Sequence, residues 1–442
     1  MSASTDYLSS TPVLICNKLI NNLPEISDSH LWDGATIVTP YLGGKGMGLL
    51  RLGGSTRGWM GINTSVFQER VLNELSIKEL RDKLGSCSDE SLESLCKNIQ
   101  NEIMNMSDQS ALFTMYRKYL DPYHEVNLWA VRSSAVDEDG SNSMAGLHDS
   151  VLNVTPGNMS EAIKKVWASA FSYRATAFRR AKNIDPSSPM MAVIIQYMNE
   201  TKISGVLLTE DPLGQLDKNY MIIESVMGLG ESLVSGEVTP QLTVINSAGA
   251  VIEAIPSTQS KWINPKTNKM EDMKGITRVE LNEQQIVQLH HKIIQLRNLG
   301  AVGPLDIEWC IGTKMFDYPV LLQVRPLFVA PRVIKGLEGK VVPKGIIVGT
   351  GVSAGVAEGF GSYKDESAPI LLAEKTSPDY LPRMLKSKGI ITESGGLTCH
   401  AAMVSRELGI PCIVGVGSQL FKKANNKVIT MDGTTGFIKV LP

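Results

Sequence analysis

Between residues 328 and 345 the sequence carries Pro331, Gly336, Gly339 and Pro343. That composition suits a domain linker better than a helix or a strand. It bounds the fold, because the chain is then built around separate cores on either side. A length of 442 residues agrees, since one hydrophobic core rarely grows that far. The expected layout is an N-terminal region over 1–330, itself two subdomains split near 185–190. A linker follows at 331–344, and a smaller unit at 345–442.

The two sides are patterned differently. Residues 1 to about 30 are polar and weakly patterned, and are expected to form an irregular arm. FQERVLNELSIKELRDKL and SLESLCKNIQNEIMNM space their apolar residues by three and four and predict helices within 66–120. VNLWAVRSSA opens as a strand at 126. SEAIKKVWASAFSYRATAFRRA predicts one amphipathic helix over 160–181, with Ser160 as N-cap. AVIIQYM and SGVLLTE are apolar, β-branched runs at 192–198 and 204–210, expected as a hairpin or adjacent strands. MIIESVMG predicts another strand, and EQQIVQLHHKIIQLRNLG a helix ending near Gly300. PLDIEWCIG and PVLLQVRPL read as paired strands. Beyond 345, short apolar strands alternate with glycine-rich turns around one helix, HAAMVSRELG.

Composition narrows the partners. The net charge is -2, with 43% hydrophobic and 20% charged residues, so no nucleic-acid partner is expected from bulk charge. There is no long apolar run, so no membrane partner is expected. The N-terminus lacks a basic stretch followed by an apolar one, which favours a cytoplasmic protein. The six cysteines, among them Cys399 and Cys412, form no C-x-x-C pair and no metal-ligand spacing.

Five segments carry residue types suited to phosphate chemistry. In TESGGLTCHAAMVSRELGIPCIVG a short strand runs into Gly395–Gly396, and His400 opens a helix closed by Gly409 and Pro411. Free N–H groups at a helix start attract phosphate, and a neutral imidazole is a competent phosphoryl acceptor. Thr398 could cap the helix or donate to phosphate oxygens, and Arg406 could neutralise phosphate charge. The same histidine could equally satisfy a local hydrogen bond. GGKG at 43–46 is not a P-loop, yet a glycine turn with Lys45 can cradle phosphates. In VRSSAVDEDGSNSMAGLHDSVLNV, Arg132 leaves a strand and could clamp phosphate through both arms. The loop after it could close over a ligand and ends at Asp149 and Ser150. ESVMGLGESLVSGEVTP breaks the dinucleotide fingerprint, leaving Glu224 and Glu231 as polar candidates. On the strand pair, Glu308 and Gln323 are expected to face each other and could hold Mg2+ against phosphates, with Arg325 on the same side as Gln323.

These segments, in this order, resemble the phosphoenolpyruvate synthase and pyruvate phosphate dikinase family, which is related to rifampicin phosphotransferase. The resemblance covers roughly 40–330 and 345–436. It implies an α/β and α+β multidomain fold, in which an ATP-grasp-like nucleotide-binding domain is followed by a small swivelling α/β phosphohistidine domain. It implies ATP and Mg2+ as cofactors. By position, Lys45, Arg132 and Arg325 would contact the ATP phosphates, and Gln196 would reach the adenine side. Asp149 and Ser150 would line the nucleotide site, with Ser150 where the family usually has threonine. Glu308 and Gln323 would bind Mg2+. His400 would take a phosphoryl group and swing about the linker. Members use ATP as a double donor, release AMP and phosphate, and pass on the β-phosphoryl group.

The sequence departs from the family in the loop after Arg132, which is one residue short, with Gly140 and Ser141 where Leu-Pro is common. Leu147 replaces a usual glutamine, and Leu397 stands where some relatives have arginine. The expected activity is a dikinase-type phosphotransferase acting on a small-molecule hydroxyl or carboxylate. Alternatives are one component of a split system whose partner subunit binds the acceptor, a ligase that activates a carboxylate, and a non-catalytic ATP-binding regulator.

Overall fold

The computed structural model describes residues 13–15, 35–56, 58–114, 128–136, 147–198, 201–214, 216, 218–257, 259–276, 280–312, 317–327, 329 and 346–441. Most of the predicted N-terminal arm, most of the loop after Arg132 and the 331–344 linker lie outside them; the described piece of the arm, Val13–Ile15, is a strand paired with Met60–Ile62 rather than irregular. The architecture is mixed α/β with several sheets, as expected. Two compact units emerge. Unit 1 comprises Met1–Asn199, His291–Val302 and Val320–Arg325; unit 2 comprises Glu200–His290, Gly303–Pro319 and Pro326–Pro442.

Unit 1 is built on a sheet of β1 (Val13–Ile15), β2 (Trp59–Ile62), β3 (Trp129–Ala135), β4 (Ser150–Val154) and β5 (Met191–Tyr197), ordered β1-β2-β5-β3-β4. Every pairing is antiparallel. All seven residues of β5 are buried, as befits a central strand covered on both faces. Helix α1 (Ala35–Leu52) leads into the sheet. Helix α2 (Asp89–Asn105) buries Leu92, Cys96, Ile99 and Ile103, one stripe at three- and four-residue spacing, and carries Asp89 and Glu90 in its first turn. Lys164 Nζ donates to the Met104 and Met106 carbonyls at 2.8 and 3.1 Å, closing the end of that helix.

Two predicted helices are each broken in two. The helix expected over 160–181 is α3 (Met159–Ser169) and α4 (Tyr173–Ala181). Ser172 caps α4, its hydroxyl accepting from Ala175 N at 3.3 Å. The break turns Phe171 inward, where it stacks on Phe67 with ring centroids 6.4 Å apart. Ser160 is not the cap; it lies inside α3 and its hydroxyl accepts from Gln109 N at 2.7 Å. The helix expected over 67–84 passes through a π-helical turn, Gln68–Leu72, and restarts at Leu75–Arg81. The extra residue in that turn shifts the apolar face, so Val71, Leu72 and Ile77 are all buried.

Unit 2 contains β6 (Thr201–Leu208), β7 (Tyr220–Met227), β8 (Gln241–Asn246), β9 (Val251–Ile255), the hairpin β10 (Lys261–Asn264) and β11 (Lys269–Asp272), and β12 (Leu305–Gly312). Successive neighbours β12, β6, β7, β8 and β9 pair antiparallel. The hairpin or adjacent pair of strands expected from AVIIQYM and SGVLLTE is therefore not formed. β5 pairs with β2 and β3, whereas β6 pairs with β7 and β12. Apolar runs that are close in sequence cannot by themselves say which sheet each will join. Helix α5 (Glu283–Asn298) is divided between the two units at His290, and β13 (Pro319–Pro326) contributes Val320–Arg325 to unit 1.

The C-terminal lobe has an eight-stranded sheet of β14 (Ile346–Val348), β15 (Thr350–Ser353), β16 (Val356–Ser362), β17 (Ile370–Ala373), β18 (Gly389–Thr392), β19 (Cys412–Val414), β20 (Lys427–Asp432) and β21 (Phe437–Val440). Its order is β14-β21-β20-β16-β17-β18-β19-β15. Strands β16 to β19 run parallel. Helix α6 (His400–Leu408) ends at Gly409, whose φ of 66° makes the left-handed cap. Ile370, Leu372, Ile391, Ile413, Ile429 and Ile438 are among the residues of this lobe's own core.

Candidate functional site

In unit 1, three contacts gather residues that are far apart in sequence. Gly43 interrupts α1 with φ 65° and ψ -176°. A Cβ there would lie 2.2 Å from the Ser134 carbonyl oxygen, so only glycine fits both the backbone angle and the approach. The Ser134 hydroxyl donates to Leu42 O at 2.5 Å and accepts from Gly46 N at 3.1 Å. The GGKG turn, with half-buried Lys45, is thus clamped to β3 two residues beyond Arg132. A Cβ on Gly48 would lie 2.3 Å from Val324 O, so α1 rests on β13 between Gln323 and Arg325.

Arg132 ties the remaining pieces. Its Nη2 donates to Gln323 Oε1 at 2.6 Å, and its Nη1 to Gln196 Oε1 at 3.2 Å and Leu322 O at 3.4 Å. Gln196 Nε2 donates to Leu322 O at 3.2 Å. Both glutamines are buried while the guanidinium is half-buried. The register pairs Arg132 with Ser150 on β4. Lys45, Arg132, Ser150, Gln196, Gln323 and Arg325 therefore belong to one unit, and the chemistry of this group is cationic and amide. Asp149 is exposed and ion-paired with Arg174. Glu308 belongs to unit 2, half-buried on β12 on the same strand face as buried Asp306. Among the described residues no group of three or more His, Cys, Asp or Glu side chains is placed to hold a metal ion.

The second site is in unit 2. Parallel β17 and β18 end together, Ala373 beside Thr392, so the loops that follow share one edge of the sheet. Thr376 emerges from the first loop and His400 from the second. Thr376 Oγ1 lies 2.9 Å from His400 Nδ1, and both side chains are buried. Sequence reading missed Thr376, because its only signal is that two parallel strands finish at the same edge. Thr398 does not cap α6; the N-cap position is Cys399, without a side-chain bond. Instead Thr398 Oγ1 donates to Glu224 Oε2 at 2.5 Å. Arg406 is buried and spans two backbone carbonyls, Leu397 at 2.8 Å and Val352 at 3.2 Å. Burial pushes the Cys399 thiol up, and that of Cys412 to about 12, so neither is a ready nucleophile.

The family described as "Pyruvate phosphate dikinase, AMP/ATP-binding domain" matches residues 39–336, which hold both the glycine turn and Arg325. The chain belongs to that family. A second family, "PEP-utilising enzyme, mobile domain", matches 366–436, the stretch that contains Thr376 and His400. Relatives in this dikinase family include the phosphoenolpyruvate synthase of Aeropyrum pernix, 34% identical over 70% of this chain and 44% of its own length. A probable phosphoenolpyruvate synthase of Archaeoglobus fulgidus is 35% identical over 73% of this chain and 45% of its length. One from Methanothermobacter thermautotrophicus is 33% identical over 70% and 46%. The chain thus matches a little under half the length of these dikinase-family relatives. Among the described residues no helix is long and apolar enough to cross a membrane.

Proposed function

We propose that the chain is an ATP-dependent phosphotransferase of the dikinase type. His400 accepts a phosphoryl group through Nε2 and passes it to a small-molecule hydroxyl or carboxylate. The observation that carries this is the Thr376–His400 contact, inside the stretch that matches a mobile domain. With Nδ1–H donating to the threonine hydroxyl, the lone pair sits on Nε2, the tautomer that a nucleophile requires.

Lys45, Arg132 and Arg325 would hold the ATP phosphates. The donor set fits this use: Arg132 is fork-shaped, and its partners include the neutral amide and peptide oxygens of Gln323, Gln196 and Leu322. Phosphate oxygens would replace those partners with stronger charge-assisted bonds. Gln196 is assigned to the adenine side, and Asp149 and Ser150 to the rim. Glu308 and the Gln323 amide oxygen are the Mg2+ donors assigned here. A nucleotide-bound Mg2+ needs only one or two protein oxygens beside the phosphates and keeps several waters, so this small set suffices. When bound, the ion would neutralise charge that develops on the phosphate oxygens.

Nε2 attacks the β-phosphorus, the N–P bond forms and the bond to the α-phosphate oxygen breaks, releasing AMP. Water then removes the terminal phosphate as inorganic phosphate, leaving one phosphoryl group on His400. In this proposal residues 1–330 act as the nucleotide-binding part and 345–442 as the carrier, joined by 331–344.

Incubation with Mg·ATP and a panel of hydroxyl and carboxylate acceptors, read by mass spectrometry, tests the proposal. AMP and inorganic phosphate should appear in step with phosphorylated acceptor, through an acid-labile phosphate on the His400 peptide. ADP as the sole nucleotide product would rule out the dikinase route.

A further inference from the structure

The turn that delivers His400 is held by a residue of β7. The Glu224 side chain is 1% exposed. It accepts three bonds, from Leu397 N at 2.7 Å, Thr398 N at 3.0 Å and the Thr398 hydroxyl at 2.5 Å. All three partners are donors, so the group that suits them is a carboxylate; a protonated acid would have to surrender one of them. Burial pushes its pKa up, while these donors and nearby Arg406 pull it down. A carboxylate taken out of water is tolerated only when so fully bonded.

The surroundings are fitted to this contact. A Cβ on Gly396 would fall 2.4 Å from Glu224 Oε1 and 3.1 Å from Pro240. Ser394 Oγ donates to Gly236 O at 2.6 Å, and Lys375 pairs with Glu237. The C-terminal lobe has its own core, so these polar contacts with the 224–240 segment are not what folds it. They decide where it rests.

We infer that Glu224 is a charge-sensitive latch, which holds the turn before His400 while the histidine is unmodified and loosens once His400 carries phosphate. The release half rests on the phosphohistidine proposed above; the holding half does not. A phosphoryl group brings negative charge to the residue two positions after Thr398, whose N–H and hydroxyl are held by a carboxylate already stripped of water. In such surroundings repulsion between like charges is weakly screened. A contact built to hold one charge state thus becomes unfavourable in the other, and the carrier is freed at the moment it is loaded.

Amide hydrogen exchange of the full chain tests both halves. In Glu224→Gln the amide N–H2 group faces a backbone donor, and Leu397 and Thr398 should exchange at least tenfold faster than in wild type. Ile391 and Ile429, in the lobe's interior, should be unchanged. Gly396→Ala provides the same readout from the other side, and it leaves Glu224 intact should the first variant fold poorly. Exchange at Leu397 and Thr398 within twofold of wild type in both variants overturns the latch. For release, wild type and His400→Ala are each incubated with Mg·ATP; acceleration at Leu397 and Thr398 is expected in wild type alone. Phosphorylated wild type with unchanged protection overturns the release. Absence of phosphate on His400 removes the proposed function and the release with it, while faster exchange in Glu224→Gln would still establish the latch.

Discussion

Thr376 Oγ1 and His400 Nδ1 are 2.9 Å apart, although 24 residues separate them in sequence. The contact exists because β17 and β18 are parallel neighbours that end level with each other. It orients the imidazole from the side opposite to Nε2. In Thr376→Val, phosphorylation of His400 by Mg·ATP should slow by about 10- to 100-fold, by analogy with the loss of the partner that orients a metal-bound histidine. ATP affinity should be unchanged. Thr376→Ser should restore most of the rate. Rapid-quench measurement of acid-labile phosphate separates the three.

Gly43 meets two constraints at once, a positive φ and contact with Ser134 O. Gly43→Ala should therefore destabilise unit 1 by about 2 kcal/mol or more, from strain alone. It should also weaken Mg·ATP binding, since the turn presents Lys45. Urea unfolding and calorimetric titration measure the two effects. A variant as stable as wild type would show that the turn relaxes without its clamp on Ser134.

Arg132→Lys retains the charge and loses the fork. A lysine cannot serve Gln196, Gln323 and the Leu322 carbonyl as the guanidinium does. Mg·ATP affinity should drop by about tenfold, equivalent to ~1.4 kcal/mol. Binding by calorimetry at two salt concentrations is the check, and wild-type affinity would remove Arg132 from the nucleotide site.

The elements that were legible in the sequence are those whose signal is local. The strand at Trp129–Ala135, the helix Asp89–Asn105 and the cap at Gly409 follow from apolar spacing and glycine chemistry near at hand. The breaks at Ala170–Ser172 and after Leu72 were not legible, because the aromatic packing that favours them comes from distant segments. The same holds for the sites. Lys45, Arg132 and His400 stand in recognisable segments, and the resemblance supplied Gln196 by position. Thr376 depends on strand order, and Glu224 on the packing of a lobe more than 170 residues further along. Arg406, which suggested a phosphate partner, donates to backbone carbonyls of its own lobe, a contact that its sequence neighbours do not announce.

His148 provides a prediction about pH. It is buried, and its Nδ1 lies 3.4 Å from the Ser169 carbonyl, which requires the proton on Nδ1. Among the described residues Nε2 has no hydrogen-bond partner, so a second proton would be an unpaired buried charge. Burial, and then Arg179, Lys45 and Arg174, hold its pKa well below the usual histidine value. The unfolded chain therefore binds a proton near pH 6.5 that the folded chain refuses. Stability should be complete above about pH 7 and fall as pH drops through 6.5, approaching ~1.4 kcal/mol per pH unit for this one group. The loss should stop only once the folded histidine itself titrates. Urea unfolding at pH 7.5, 6.5 and 5.5 should show that slope in wild type. In His148→Gln, whose amide can still donate to Ser169, stability should change by about 1 kcal/mol less across the same interval. Equal slopes in the two proteins would mean that His148 is protonated in the folded state, and that the charge on Lys45 is screened from it.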